Sequence, residues 1–480
     1  MGATQLSSEV LRSEPLDEVV ANLHRIVRST LEQFSPPVTD KLAFRIDGPQ
    51  PLLHRMCQFR ARLRSEKRVL RKECKTLRKQ CSTNPSPAQR LQIQAQNKLW
   101  RTLCKQHNTV RKQEAQAAET QTRRQTQSRF FQNPHTFAQK LFKPTSSSSP
   151  TFNRDTAETF FRNTYNDAER NWIFHNSLNL PPTAEPTVPF NRAPVTWNEL
   201  YCITSRKRNA STPGENGNGY MIYKKCPAAL DLLLKIINRV LTSRLHPRLW
   251  SVAVMILLFK SGKTDDPANF RNIALTNVEG KLFWSVIGKR IMSFALANKF
   301  LPNTIQKGFV DGVPGCLDHT DMVFSAFKNA KQYHRSICCA WLDFKNAYGN
   351  VKHNLIQFAL KRYHIPLEIA EIIFEYYEQL EAVISTKDWS TGIVPYLIGV
   401  FQGCVLSVYL FLLVFQLLLD YLELHHHDGY LFSADTNTSA ETAIHIRNPA
   451  FADDLTAVSS SPSGNQLVIN RVEIFCRFSR

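Results

Sequence analysis

The chain has 480 residues, a formal net charge of +20 and a hydrophobic content of 43%, which together exclude a wholly disordered protein. This length allows about three domains of typical size. The excess of basic residues indicates an anionic partner, most simply nucleic acid. Eleven cysteines without a C-x-x-C pair, and an N-terminus without an apolar signal region, predict a nuclear or cytoplasmic protein that is not secreted.

The basic charge is concentrated near the N-terminus. Residues 1–54 give no assignment, whereas residues 55–142 form a predicted basic helical region, rich in Gln, Arg, Lys and Ala. Residues 55–140 contain 21 Lys and Arg against four Glu, so 17 of the 20 net charges lie there. Glu66 and Glu73 interrupt the seven-residue leucine spacing, which argues against a sustained coiled coil. Helices that lie along phosphates and a solvated basic linker both fit this pattern.

Residues 143–195 are predicted to be a linker that contains one short helix. The Ser-rich sequence KPTSSSSP opens it, helical spacing follows at 155–174, and the prolines of 178–194 exclude regular structure there. Residues 196–219 then predict a short helix and a turn rich in Gly and Asn.

From Cys226 onward, apolar helices and short apolar strands alternate, which indicates a packed domain of mixed α and β structure. The predicted helices cover 224–245 and 280–300, and the predicted strands, two of them buried, cover 251–259, 268–277 and 336–344. The adjacent Cys338 and Cys339 are predicted to lie in the strand core.

Three carboxylates stand out against this apolar background. Asp343 ends the apolar strand at 336–344, where it fits either a cation site or a cap for the helix that starts near His353. Asp453 and Asp454 lie side by side in the apolar sequence AFADDLTAV. At ~4 Å and an effective dielectric constant of 20, two such charges repel by about 4 kcal/mol. A divalent cation would compensate them, and Mg²⁺ prefers a few carboxylates together with waters and phosphates.

The uncharged run at 397–419 is long enough to cross a membrane. Gln402 and Gln416 interrupt it, so a buried helix is the preferred interpretation. The His425–His427 run is interpreted as a solvated loop and not as a metal site.

Several motifs in order resemble the reverse transcriptase domain of non-LTR (LINE-type) retrotransposons, from about residue 196 to residue 480. The motifs are PGENG at 213–217, LLFKSGKTDDPANFRNIALTN at 257–277, IQKGF at 305–309, PGCLDH at 314–319, AWLDFKNAYGNVKHNLI at 340–356, GVFQGCVLSVYLF at 399–411 and FADD at 451–454.

The resemblance implies an α+β fold of the right-hand polymerase type, with fingers and a palm built on an antiparallel sheet, preceded by the mainly helical basic region. It also implies that FADD forms the tight turn of a β-hairpin and that 397–419 packs behind the palm sheet. The chain departs from the family in length. The sequence shows neither the thumb after the palm nor an upstream endonuclease pattern, so we expect a truncated chain.

The resemblance further implies an RNA-directed DNA polymerase that uses an RNA template, a DNA primer and dNTPs, with two Mg²⁺ ions, or Mn²⁺ in their place. Membrane association is not implied, and no feature indicates an oligomeric state. The implied catalytic and metal-binding residues are Asp343, Asp453 and Asp454. The implied nucleotide-binding residues are Lys260, Arg271, Phe344, Tyr348, Gln402 and Gly403. The implied template-path residues are Gln306, Gly308 and Phe309, although Phe309 fits the core equally well.

Two alternatives remain open at this level. One is an inactive remnant that only binds nucleic acid through residues 55–140, and the other is a membrane-anchored protein that uses residues 397–419.

Overall fold

The computed structural model describes residues 14–34, 52–80, 87–132, 149–302, 304–310, 313, 315–424, 429–432 and 444–479. The chain divides into two compact units. The main unit comprises residues 1–35 and 148–480, and the basic unit comprises residues 36–147. The predicted histidine loop at 425–427 lies outside the described residues.

The helices are named in chain order. They are α1 (Leu16–Phe34), α2 (Leu52–Gln80), α3 (Pro87–Gln132), α4 (Arg154–Thr164), α5 (Trp197–Arg206), α6 (Tyr220–Lys225), α7 (Pro227–Ser243), α8 (Val278–Ala297), α9 (Cys316–Gln332), α10 (His353–Arg362), α11 (Leu367–Glu378), α12 (Val405–Glu423) and α13 (Pro462–Ser479).

The strands are shorter, and most of them belong to the main unit's two larger sheets. They are β1 (Val252–Phe259), β2 (Phe270–Leu275), β3 (Cys338–Leu342), β4 (Glu381–Ser385), β5 (Val394–Pro395), β6 (Tyr430–Phe432), β7 (Ile444–Ile446), β8 (Ala450–Phe451) and β9 (Asp454–Ser459).

The basic unit consists of α2 and α3 in its described part. The two helices pack against each other. Leu63 and Leu70 of α2 are buried, and the ammonium of Lys67 lies 6.0 Å from the centroid of the Trp100 ring. Few apolar side chains are available for this contact, so most of the charge on both helices remains exposed.

A four-stranded sheet with the order β2-β1-β4-β5 forms one part of the main unit. The antiparallel register of β1 and β2 runs from Val254 opposite Leu275 to Phe259 opposite Phe270. This register confirms that the apolar runs at 251–259 and 268–277 are partner strands. Strand β4 pairs in parallel with the other edge of β1.

A three-stranded antiparallel sheet with the order β3-β9-β8 forms a second part. The prediction of a buried strand at 336–344 is wrong in its burial. Strand β3 is an edge strand whose residues are mostly half-buried, including Cys338 and Cys339, and Trp341 is 70% exposed. Ala340 and Leu342 pack against the main core, whereas the face of Trp341 borders an open cavity.

The uncharged run at 397–419 supplies the central helix of the core. Helix α12 is almost wholly buried and contacts α8, α10 and α13. Among the described helices it alone is long and apolar enough to cross a membrane, and most of it is covered by protein in this structure. Its buried Gln416 donates a hydrogen bond to Asp420 at 2.8 Å.

Residues 149–195 are part of the packed main unit and not a free linker. Helix α4 begins after Asn153, whose side chain accepts a hydrogen bond from the Thr156 amide at 2.9 Å. Phe161 and Phe190 are buried in the main core. Burial of a large aromatic side chain is strongly stabilising. The two phenylalanines therefore attach this proline-rich stretch to the surface of the main unit.

Candidate active site

The sequence AFADDL forms the predicted hairpin turn. Strands β8 and β9 pair with Phe451 opposite Asp454, so Ala452 and Asp453 form a two-residue turn. Ala452 has a φ angle of 56°, a conformation that non-glycine residues rarely adopt and that costs about 1 kcal/mol or more. Something outside the hairpin must therefore hold this turn.

The side-chain amide of Gln306 holds the turn. Its nitrogen donates to the Ala452 carbonyl at 3.0 Å, and its oxygen accepts from the Ala452 amide at 2.8 Å. The same oxygen accepts from the Gly308 amide at 2.8 Å. Gln306 is 1% exposed, so its side chain contacts the turn and is not available to a template strand.

Backbone contacts bring the Gln306 segment against the hairpin. The Lys307 amide donates to the Ala450 carbonyl, and the Ala450 amide donates to the Ile305 carbonyl, each at 3.0 Å. The buried His319 of α9 contacts the same two carbonyls through Nε2, at 2.8 and 3.1 Å. A Cβ at Gly308 would lie 2.2 Å from the Ala452 amide nitrogen, so only glycine fits. The neighbouring Phe309 is 51% exposed and does not lie in the core.

The hairpin places two of the three predicted carboxylates, Asp343 and Asp454, opposite each other, with Asp453 beside them in the turn. The β3–β9 register ends with Leu342 opposite Leu455, so the next residues along, Asp343 and Asp454, face each other, and both line the same cavity. Partial burial, followed by repulsion from Asp453 and Asp343, raises the pKa of the Asp454 carboxyl. Asp453 is half-buried in the turn, and its charge adds to burial in raising the pKa of Tyr348. Asp343 does not cap α10, whose preceding residue is Lys352.

The oxygen donors of these residues fit a divalent cation. Across the described parts of the chain, none of the three carboxylates forms an ion pair with a basic side chain, and no three acidic, His or Cys side chains lie close enough to form a complete metal site. Mg²⁺ is commonly bound by one or two carboxylates together with waters and substrate phosphates. Asp343 and Asp454 would be the residues that share such an ion, with Asp453 beside them.

A second cavity is lined by three of the six predicted nucleotide-binding residues. It is lined by Lys260, Arg271 and Gln402 among others. Burial, followed by repulsion from Arg271, lowers the pKa of Lys260, so this pair is suited to an anion. The Gln402 carbonyl accepts from the Ala274 amide at 2.7 Å. Gly403 has a φ angle of 115°, and a Cβ there would lie 2.7 Å from the Ala274 carbonyl oxygen.

Phe344 and Tyr348 do not line this second cavity. Tyr348 stacks on Phe411 of α12, with ring centroids 4.4 Å apart, and Phe344 meets Phe415 edge-on at 5.6 Å. The loop that carries them instead presents Asn346 and Gly349 to the cavity. Their packing fixes the position of this loop on the central helix.

Sequence reasoning missed several residues around the two cavities. Tyr165, from the stretch predicted as a linker, accepts a hydrogen bond from Asn272 at 2.6 Å, and both residues line the second cavity. Asn346 and Tyr396 line it as well. One sequence signal could have indicated that His319 contacts the Gln306 segment. His319 belongs to the PGCLDH motif, which follows IQKGF closely in the sequence.

Comparisons with known proteins identify relatives for this part of the chain. Residues 260–480 match the family model described as reverse transcriptase (RNA-dependent DNA polymerase). The chain is similar to the retrovirus-related Pol polyprotein from type-1 retrotransposable element R2 of Nasonia vitripennis, with 27% identity over 58% of this chain and 25% of the relative. It is also similar to the RNA-directed DNA polymerase from mobile element jockey of Drosophila melanogaster, with 28% identity over 44% of this chain and 23% of the relative.

The chain spans about a quarter of the length of these curated relatives. Among solved structures, apo telomerase from Candida tropicalis, truncated from its C-terminal domain, matches 47% of this chain and 46% of its own, with 13% identity and a TM-score of 0.33.

Replacing Gln306 with Met should destabilise the main unit by about 2–4 kcal/mol, because three buried hydrogen bonds are lost and buried backbone groups stay unpaired. Chemical denaturation of the full chain measures this difference. Gln466→Met, on the exposed face of α13, is the matched control, with an expected change below about 0.5 kcal/mol. Equal midpoints for the two variants would show that Gln306 does not hold the turn.

Adding Mg²⁺ should raise the unfolding temperature of the metal-free chain. A tenfold excess over the dissociation constant stabilises by about 1.4 kcal/mol, which corresponds to about 2 °C for a unit of this size. Thermal unfolding with EDTA and with MgCl₂ measures the shift, and the Asp343→Asn/Asp454→Asn double variant should lose it. If the double variant showed the same rise in unfolding temperature with Mg²⁺ as wild type, the ion would bind at another site.

The stability of the metal-free fold should depend on pH through the Asp454 carboxyl. Because the folded chain raises the pKa of Asp454, its ionised form destabilises the metal-free fold. This destabilisation is present above the folded pKa and is relieved as the pH falls through it. In EDTA, Asp454→Asn should therefore be more stable than wild type at neutral pH and lose that advantage on acidification. An advantage that is constant with pH would contradict the assigned repulsion.

Proposed function

Because residues 260–480 form a reverse transcriptase domain related to those of non-LTR retrotransposons, we propose that the chain contributes the fingers and palm of an RNA-directed DNA polymerase. The proposed reaction is attack of a primer 3′-OH on the α-phosphate of a dNTP, directed by an RNA template. The carrying observation is that Asp343 and Asp454 lie opposite each other and line one cavity, with Asp453 in the adjoining hairpin turn.

The geometry supports a division of roles. The sheet that contains β1 and β2 is assigned to the fingers, and the β3-β9-β8 sheet to the palm. Lys260 and Arg271 would bind the triphosphate, since they share a cavity and an Arg fork suits phosphate oxygens. Tyr348, fixed on Phe411 near Asp453, would lie beneath the sugar and crowd a 2′-OH. The Gln402–Gly403 backbone would approach the nucleotide base.

The carboxylates would hold the divalent ions. When bound, such ions supply charge neutralisation at the attacking and leaving oxygens of the phosphoryl transfer. Other residues of this chain would hold the carboxylates and the Tyr348 loop in fixed positions. Gln306 holds the hairpin turn at Ala452, and α12 supports the Tyr348 loop.

The concentrated charge of the basic unit favours a second function, which is nucleic-acid binding without polymerisation. Helices α2 and α3 contain most of the net positive charge, and most of the basic side chains whose exposure the structure describes there are exposed. Such a surface predicts binding that weakens steeply with salt. Under this alternative, the chain would bind RNA or DNA but incorporate no nucleotide.

Primer extension separates the two functions. The full chain with a DNA primer, an RNA template, dNTPs and Mg²⁺ should extend the primer. Asp343→Asn and Asp453→Asn should each reduce the rate at least about a hundredfold, because metal-assisted stabilisation contributes several kcal/mol.

The control is Asp388→Asn, an exposed carboxylate in the turn after β4, which should extend at the wild-type rate. Undiminished extension by the two site variants would reject the assigned carboxylates. Salt-sensitive binding without any extension by the wild-type chain would favour the binding function instead.

A further inference from the structure

Among the described residues, three Lys and Arg side chains are fully buried, and two of them are ion-paired. Arg290 of α8 pairs with Glu199 at 2.7 Å, and Lys352 pairs with both Asp167 at 3.1 Å and Glu169 at 2.8 Å. This arrangement is expected, because a buried charge is unfavourable unless an opposite charge compensates it.

One group of lysines breaks this pattern. Lys281 of α8 is 8% exposed, and Lys207 and Lys289 beside it are half-buried. Within the described residues, none of the three forms an ion pair with a carboxylate. We name Lys207, Lys281, Lys289 and Ser285 the lysine cluster.

Side-chain and backbone contacts hold the cluster in place. Lys281, Ser285 and Lys289 are spaced four residues apart and lie on one face of α8. Lys207, which follows α5, donates from its ammonium to the Ser285 hydroxyl at 2.9 Å. The Ser285 hydroxyl donates to the Lys281 carbonyl at 2.6 Å. The cluster is thus built by two elements and is not a set of freely moving surface lysines.

The charges within the cluster repel one another. Burial, followed by repulsion from Lys289 and Lys281, lowers the pKa of Lys207. Burial also lowers the pKa of Lys281, although the negative charge of Glu279 acts in the opposite direction. Within the described residues, the Glu279 carboxylate forms no ion pair with the cluster. It accepts hydrogen bonds from Tyr223, Asn216 and Asn218, and it lies 3.4 Å from His24 Nε2.

We propose that the lysine cluster is a binding site for the phosphodiester backbone of the template strand, an inference that rests on the proposed polymerase function. Lys281 to Lys289 spans about 12 Å along the helix, which matches about three phosphates of one strand at 3.4 Å each. Strand β2, which carries Arg271, ends two residues before α8 begins. Strand and helix therefore connect the cluster to the nucleotide cavity.

The test is the salt dependence of binding of a labelled single-stranded RNA to the full chain, followed by fluorescence anisotropy. Lys207→Gln and Lys289→Gln should each lower the slope of log affinity against log salt by about 0.7, which is about a fivefold loss at 0.1 M salt. Lys235→Gln is the control, because Asp231 already pairs with its ammonium at 2.8 Å. Slopes equal to that of the control would overturn the proposal.

Two further measurements make the result specific. Lys207→Arg and Lys289→Arg keep the charge and should retain binding, and without RNA the Gln variants should unfold at the wild-type temperature or above. Loss of binding in the Arg variants, or a lower unfolding temperature in the Gln variants, would assign the lysines a structural role.

Steady-state kinetics of primer extension distinguish a template phosphate from a nucleotide phosphate as the anion that the cluster binds. A template site predicts a raised KM for primer–template and an unchanged KM for dNTP. The opposite result would identify a nucleotide triphosphate as the anion and overturn the proposal. The anisotropy measurement needs no catalysis. If the chain extends no primer, the polymerase function is refuted, and the binding measurement still tests the lysine cluster independently.

Discussion

The hydrogen bonds between Gln306 and Ala452 are the constraint on which the candidate active site depends. A two-residue turn with a positive φ angle at Ala452 is unfavourable by itself. The Gln306 amide satisfies both backbone groups of that residue, and the segment around it adds backbone bonds to the strand before the turn. Since Asp453 and Asp454 directly follow Ala452, the position of both carboxylates is set by a side chain almost 150 residues earlier.

This arrangement explains how repelling carboxylates can remain close together. Neighbouring anions would separate if the turn were free to relax, because their repulsion raises the free energy of the folded chain. A buried, fully hydrogen-bonded amide supplies a rigid support that does not alter the charge of the site. An Arg or Lys in place of Gln306 would neutralise the carboxylates and compete with a metal ion.

Part of this organisation could be predicted from the sequence, because it depends on patterns among residues that are close in the chain. The apolar runs of β1, β2 and α12 have the periodicity and length of their elements, so their positions follow from patterns of a few residues. The resemblance to the reverse transcriptase family supplied the hairpin at FADD. Burial was predicted less well, because the exposure of Trp341 depends on β3 lying at a sheet edge. The partnership of Gln306 with Ala452 is a long-range contact, which no local pattern encodes.

The two charged sites of the main unit follow one physical rule with opposite signs. Within the described residues, the hairpin places carboxylates close together without an ion-paired cation, and Lys207, Lys281 and Lys289 lie close together without an ion-paired carboxylate. The buried Arg290 and Lys352, by contrast, are ion-paired. Both arrangements reduce the stability of the free chain, and both become favourable when the missing counter-charge arrives. A divalent ion and a phosphate backbone, the two proposed ligands, would each neutralise one of the two sites. Under the two proposals, binding of a metal ion and of a nucleic-acid strand would recover the stability that the unneutralised charges cost the free chain.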